Sequence, residues 1–113
     1  TSKLLRAETI KTMWAPPEGA PGHDAAGQPS SLYYGCGWQV RTVGADKRMN
    51  TFHSGLITGT STTLVRRHDG LNWAVLFNTD SNQQGKTLSP LVDSLVHQAA
   101  DAVKRWPEQP LSL

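Results

Sequence analysis

The fold is decided by residues 49–78, MNTFHSGLITGTSTTLVRRHDGLNWAVLFN, in which three runs rich in β-branched and aromatic residues are separated by turn residues. Short runs of this composition are typical of strands, so we predict strands at 49–54, 61–67 and 72–78. Asp69-Gly70 predicts a two-residue type I′ hairpin between the last two runs, because both residue types tolerate positive φ.

The flanking sequence extends this pattern in both directions. The alternation in WQVRTV at 38–43 predicts a further strand, so residues 33–79 are expected to form an antiparallel sheet of about four strands. Residues 15–32 hold four prolines and three glycines and predict an irregular loop. Residues 1–14 predict an N-terminal helix with Ser2 as its N-cap. Residues 87–106 predict a C-terminal helix with Ser89 as N-cap and Pro90 at the first helical position.

The composition limits the classes of function. With 113 residues the chain is a single α+β domain or a fragment of a larger one. The net charge of +2 is scattered along the chain, so we expect no nucleic-acid partner. The longest apolar run, 73–77, is too short to cross a bilayer, so we expect no membrane span. One cysteine and four dispersed histidines predict neither a disulfide nor a metal site, and we expect no cofactor.

The chain begins at Thr1 and carries no basic-then-apolar leader. This start fits a processing site, an engineered boundary or the edge of a longer protein. It leaves the compartment undetermined.

Residues 52–61, FHSGLITGTS, are the first candidate for chemistry. They place an imidazole, two glycines and several hydroxyls at a strand end, where glycines allow a ligand to approach backbone N–H groups. The pattern alone equally describes a surface histidine on a strand that the glycines bend.

An ordered set of motifs identifies a resemblance. The set consists of YGCGW at 34–38, HSG at 53–55, Gly59, DG at 69–70 and an apolar strand that ends at Asn78. It resembles the C-terminal portion of the serine β-lactamase and penicillin-binding-protein family, in its class C-like, esterase-like branch, over roughly residues 4–103. Members of that family are serine acyl-transfer enzymes with three motifs: Ser-x-x-Lys, a Tyr-x-Asn or Ser-x-Asn motif, and a Lys-Thr-Gly strand that many relatives replace with His-x-Gly.

The resemblance implies roles for four residues. His53 would be a catalytic donor that orients a substrate carboxyl or carbonyl, and the backbone N–H of Leu56 would be one of two oxyanion-hole donors. Ser54 and Gly55 would be substrate-binding, through a hydroxyl and through a thin cleft wall respectively. We interpret the YGCGW motif as structural, because aromatic residues and glycines in strands usually pack or bend.

The chain departs from the family in the motifs that carry the nucleophile. No serine is followed three positions later by lysine, and no tyrosine is followed two positions later by asparagine. The KTL at 86–88 lacks the glycine of Lys-Thr-Gly, and GTSTT at 59–63 lacks the closing glycine of a nucleophile elbow. Thr1 as an N-terminal nucleophile is a further alternative, although a chain boundary at Thr1 needs no chemistry.

The sequence therefore supports three hypotheses. In the first, the chain is the C-terminal segment of a serine hydrolase that acts on a small-molecule or peptide acyl substrate, and a missing N-terminal part or self-association through a sheet edge completes it. In the second, it is a non-catalytic α+β binding or interaction module with the same scaffold. In the third, it is an unrelated small α+β domain.

Overall fold

The computed structural model describes residues 4–106, which form a five-stranded antiparallel sheet with two helices. The elements in chain order are α1 (Ala7–Met13), β1 (Leu32–Tyr34), β2 (Gln39–Val43), β3 (Arg48–Ile57), β4 (Thr60–Arg66), β5 (Asn72–Phe77) and α2 (Leu88–Ala102). Each strand pairs with the next in sequence, so the sheet is a meander in the order β1-β2-β3-β4-β5. The α+β class is confirmed, with five strands instead of about four.

The additional strand is β1, which begins at the last residue of the predicted loop. It has only three residues, and it pairs through Leu32 with Arg41 and through Tyr34 with Gln39. Three residues are too few to show a strand period in the sequence, so the pairing comes from tertiary contacts with β2.

The predicted two-residue hairpin at Asp69-Gly70 is wrong. Arg66 pairs with Asn72, so five residues connect β4 and β5. Only Gly70 among them has positive φ, at 92°, whereas a type I′ turn needs two such residues. The Asp69 carboxylate instead accepts hydrogen bonds from the Arg67 guanidinium and from the Leu71 N–H. The two-residue connection lies between β3 and β4, at Thr58-Gly59, where Gly59 has φ 77°.

The helices begin and end at other residues than predicted. Thr87, not Ser89, is the N-cap of α2, and the helix ends at Ala102 rather than 106. Ser89 is buried, and its hydroxyl shares a hydrogen bond with the Ser61 hydroxyl of β4. The Ser89 side chain therefore contacts the sheet instead of capping the helix. Helix α1 begins at Ala7, and the predicted cap Ser2 lies outside the described residues. Neither helix has the length and apolar character needed to cross a membrane.

Alternation along the strands divides the sheet into two faces. Phe52 and Val65 pair across β3 and β4 and are buried on the face that packs against α2. Tyr33, Val40 and Thr51 form a buried cross-strand row on the opposite face. That row lies under the end of α1, where the Tyr33 hydroxyl donates to the Trp14 carbonyl at 2.7 Å.

An ion network around the buried Arg67 joins the β4–β5 connection to α2. The Arg67 guanidinium lies 2.7 Å from a carboxylate oxygen of Asp69 and 2.7 Å from one of Asp101. Burial alone would raise the pKa of Asp69, but the hydrogen bond and the positive charge of Arg67 hold it below its ordinary value. A buried arginine needs such partners, because an unpaired charge in the interior is very unfavourable.

His97 of α2 lies beside this network. Its ring packs edge-on against Trp73 with centroids 4.8 Å apart. Burial lowers the pKa of His97, and the charges of Arg67 and Arg41 lower it further, whereas Asp93 and Asp101 oppose the shift. The folded chain therefore binds a proton at His97 less readily than the unfolded chain does.

This shift predicts a loss of stability in mild acid. The contribution of His97 is fully present above the ordinary histidine pKa of about 6.5 and is lost as the pH falls through and below that value. We expect the urea midpoint of the wild type to fall between about pH 8 and about pH 5.5, and the fall to be smaller in His97→Gln. His23→Gln, a change in the loop, is the matched control and should retain the full decrease. An equal decrease in His97→Gln would contradict the assignment.

Candidate functional site

The candidate site is the part of β3 that extends beyond its partner β2. β3 has ten residues, but its pairing with β2 ends at Phe52 opposite Gln39. Pairing with β4 continues to Ile57 opposite Thr60. Residues 53–57 therefore have a strand neighbour on one side only, and they form what we call the open edge. All four predicted site residues lie on it.

The direction of each backbone group on the open edge follows from the hairpin. In a two-residue hairpin the residues flanking the turn, here Ile57 and Thr60, form a hydrogen-bonded pair. Hydrogen-bonded and non-hydrogen-bonded pairs alternate in antiparallel strands. His53, Gly55 and Ile57 therefore bond to β4, whereas Ser54 and Leu56 direct their N–H and C=O groups away from β4, off the open edge.

The His53 side chain lies on the face opposite α2 and is exposed to solvent. Its Nε2 atom is 3.0 Å from the Tyr34 hydroxyl, and the two rings meet edge-on with centroids 5.8 Å apart. Tyr34 is the last residue of β1 and pairs with Gln39, the first residue of β2, so the contact forms where β2 begins. Tyr34 was not identified as a site residue from the sequence, because its motif was interpreted as structural only. The contact with His53 depends on strand pairing, which the sequence motif does not show.

The YGCGW turn fixes Tyr34 in this position. Gly35 donates its N–H to the Trp38 carbonyl at 2.8 Å, which closes the turn between β1 and β2. The Cys36 N–H donates to the Met13 carbonyl at the end of α1. A Cβ on Gly35 would lie 2.5 Å from that same carbonyl oxygen, so only glycine allows the approach. The motif thus anchors the turn on α1, and β2 begins only after it, at Gln39.

Gly55 and Ser54 differ in what surrounds them. A Cβ on Gly55 would lie 2.6 Å from the Thr62 Oγ1. The Thr62 side chain therefore occupies the space that a side chain at position 55 would need. Ser54 lies on the α2 face and borders a cavity of about 240 Å³ whose lining includes Arg41, Ser89 and Asp93. The Ser54 side chain and the His53 ring are therefore on opposite faces, although the Ser54 amide is at the open edge. The roles of both residues stay predictions.

The far end of the open edge is held by the segment that follows β5. The Asp80 carboxylate accepts a hydrogen bond from the Gly59 N–H at 3.2 Å and another from the Ser81 hydroxyl at 2.9 Å. These bonds lower the pKa of Asp80, the Gly59 bond most strongly. The carboxylate therefore stays ionised at neutral pH and keeps the Thr58-Gly59 turn in place.

The arrangement brings several hydrogen-bond donors together at one edge of the sheet. A ligand at the open edge would meet two outward N–H groups and, beside them, an exposed imidazole. Within residues 4–106 no group of three or more His, Cys, Asp or Glu side chains is placed to hold a metal ion. The geometry suits binding and polarising a carbonyl or carboxylate group.

Comparison with known proteins adds no relative, because no family model, no curated protein and no solved structure matches the chain.

The assignment of the open edge predicts a pattern of hydrogen exchange. The amides of Ser54 and Leu56 should exchange quickly with solvent deuterium, because they have no partner in the sheet, whereas those of His53 and Gly55 should be protected by β4. Amide exchange followed by NMR on the 113-residue chain measures all four. Protection at Leu56 equal to that at Gly55 would show that another group covers this edge or that the register is different.

Proposed function

We propose that the chain is the C-terminal segment of a serine hydrolase that resembles class C β-lactamases, penicillin-binding proteins and related esterases. Its part is one wall of an acyl-transfer cleft, formed by His53 to Leu56. The nucleophile and its base would come from residues outside these 113. The substrate class is an amide, ester or β-lactam that carries a reactive acyl group.

The observation that carries the proposal is the open edge itself. It presents the Leu56 N–H to solvent on a strand that β4 holds rigidly on its other side. An oxyanion hole needs a preorganised donor of this kind, aimed at the position where negative charge develops. An N–H group on an irregular loop would have to be ordered during the reaction. The Leu56 N–H is already fixed in position, because its strand is hydrogen-bonded to β4.

The chemistry assigned to this wall is binding and electrostatic. When a serine outside this segment attacks the acyl carbon, the carbonyl oxygen gains negative charge and the Leu56 N–H donates to it. A second donor would be the N–H of the nucleophile itself. His53 would donate to a carboxyl or carbonyl of the substrate and hold the acyl group in line. Losing one oxyanion donor costs about 3 kcal/mol of transition-state stabilisation.

The exposed apolar side chains beside His53 indicate where the rest of such an enzyme would pack. Ile57, Leu64 and Leu76 lie on the face opposite α2 and are 71%, 46% and 75% exposed. Uncovered apolar faces and open strand edges favour association. The proposal therefore includes a covering element on this face, from a missing N-terminal part or from a second copy of the chain.

Variants of the longer polypeptide that carries Ser-x-x-Lys test the proposal. Leu56→Pro removes the outward N–H and leaves the bonds to β4, so kcat should fall by about 100- to 1000-fold. Leu56→Ala, which keeps the N–H, is the matched control and should retain most activity. His53→Ala should lower kcat/KM by roughly 10- to 1000-fold with the urea unfolding midpoint nearly unchanged. The isolated 113-residue chain should hydrolyse neither chromogenic β-lactams nor p-nitrophenyl esters.

Two results would reject the proposal. One is full activity in folded Leu56→Pro and His53→Ala variants. The other is turnover by the isolated chain together with labelling of one of its own serines by a serine-reactive probe.

The second candidate is a non-catalytic binding or interaction module, which the same exposed apolar face favours. The encoding reading frame discriminates between the two. Ser-x-x-Lys upstream of residue 1 supports the hydrolase, and a frame without that motif supports the module.

A further inference from the structure

The contact between Tyr34 and His53 determines which nitrogen of the His53 ring is free to meet a ligand. His53 Nε2 is 3.0 Å from the Tyr34 hydroxyl, His53 is an exposed residue, and its Nδ1 has no hydrogen-bond partner among the described residues. One nitrogen of the imidazole is therefore engaged by the protein and the other, Nδ1, is available to a ligand. Which nitrogen holds the proton decides whether a ligand meets a donor or an acceptor.

We infer that Tyr34 is a positioning residue that fixes the neutral His53 ring in the tautomer with hydrogen on Nδ1. This inference rests on the proposed function, in which His53 donates a hydrogen bond to a substrate oxygen. With Nε2 engaged by Tyr34, the Nδ1–H group is the donor that faces the ligand.

The direction of the hydrogen bond follows from the chemistry of the two groups. A phenol hydroxyl is a far stronger acid than the N–H of a neutral imidazole, and an imidazole nitrogen is a stronger acceptor than a phenol oxygen. Tyr34 therefore donates to Nε2, and that nitrogen carries no hydrogen in the neutral ring. A free histidine favours the other tautomer, with hydrogen on Nε2. The contact with Tyr34 therefore reverses the tautomer preference of the neutral His53 ring.

The backbone around Tyr34 makes the contact persistent. Tyr34 pairs with Gln39 in the sheet, and the turn that follows is tied to α1 by the Cys36 N–H. His53 is held by its pairing with Leu64. The two side chains thus project from backbone segments that are both fixed by hydrogen bonds. A hydrogen bond between preorganised groups loses less entropy than one between mobile side chains.

Nitrogen-15 NMR of the histidine rings tests the inference on the 113-residue chain at about pH 8.5, where imidazole is neutral. The wild type should show His53 mainly as the Nδ1–H tautomer. Tyr34→Phe keeps the aromatic ring but removes the hydroxyl, and should shift His53 mainly to the Nε2–H tautomer.

The chain offers a matched control in its only other tyrosine. Tyr33→Phe removes a hydroxyl that bonds the Trp14 carbonyl, so it tests for a general effect of lost stability and should leave the His53 tautomer unchanged. His68 is an internal reference, because its Nδ1 lies 2.9 Å from the Asn50 Oδ1 and must carry the hydrogen there. Its signals should be the same in all three proteins.

An unchanged His53 tautomer in Tyr34→Phe, or a wild type with hydrogen mainly on Nε2, would overturn the inference. The outcome is independent of the proposed function, since no turnover is measured. Loss of hydrolysis in His53→Ala with no tautomer change in Tyr34→Phe would overturn this inference alone. A tautomer change with full hydrolysis in His53→Ala would overturn the proposed function alone.

Discussion

β3 runs for ten residues, and β2 pairs with only the first five of them. This difference in length is the constraint on which the candidate site depends, because it leaves the Ser54 and Leu56 amides without a strand partner. Its origin is local. The turn at 35–38 closes through the Gly35 N–H and the Trp38 carbonyl and contacts Met13 of α1, so β2 cannot begin before Gln39. A longer β2 would cover the amides and leave no edge for a ligand.

The opposite side of β3 shows why the edge is a usable surface rather than a frayed end. β4 pairs with every residue from Thr51 to Ile57, and it is in turn paired with β5 and packed against α2. The Ser61–Ser89 contact joins β4 to the helix, and the Arg67 network joins the residue that follows β4 to the helix at a second point. The amides of the open edge therefore belong to a strand that is held firmly on its β4 side, and preorganisation of this kind is what electrostatic catalysis requires.

Much of the architecture could be predicted from the sequence, because strand composition and helix periodicity are local signals. The α+β class and the positions of four strands, β2 to β5, follow from runs such as 72–78. What failed depends on tertiary contacts. β1 is too short to show a strand period. Asp69 does not form a type I′ turn, because its carboxylate accepts a hydrogen bond from Arg67. Ser89 resembles an N-cap but is buried against Ser61.

The candidate site was predictable only in part, for the same reason. His53, Gly55 and Leu56 are consecutive or nearly so, and a motif in one strand can indicate them together. Tyr34 lies nineteen positions before His53, and its contact exists only because the meander places the end of β1 two strands from β3, where β2 begins. No periodicity or spacing in the sequence encodes that distance.

The most direct measurement of the central claim is an NMR titration of the isotope-labelled 113-residue chain with benzylpenicillin and, separately, with N-acetylglycine amide. Both ligands should shift the Ser54 and Leu56 amide signals and the His53 ring signals, with no turnover of either ligand. Shifts confined to other surfaces, or no shifts up to the solubility limit of the ligands, would contradict the claim that the open edge of β3 is an acyl-group binding surface.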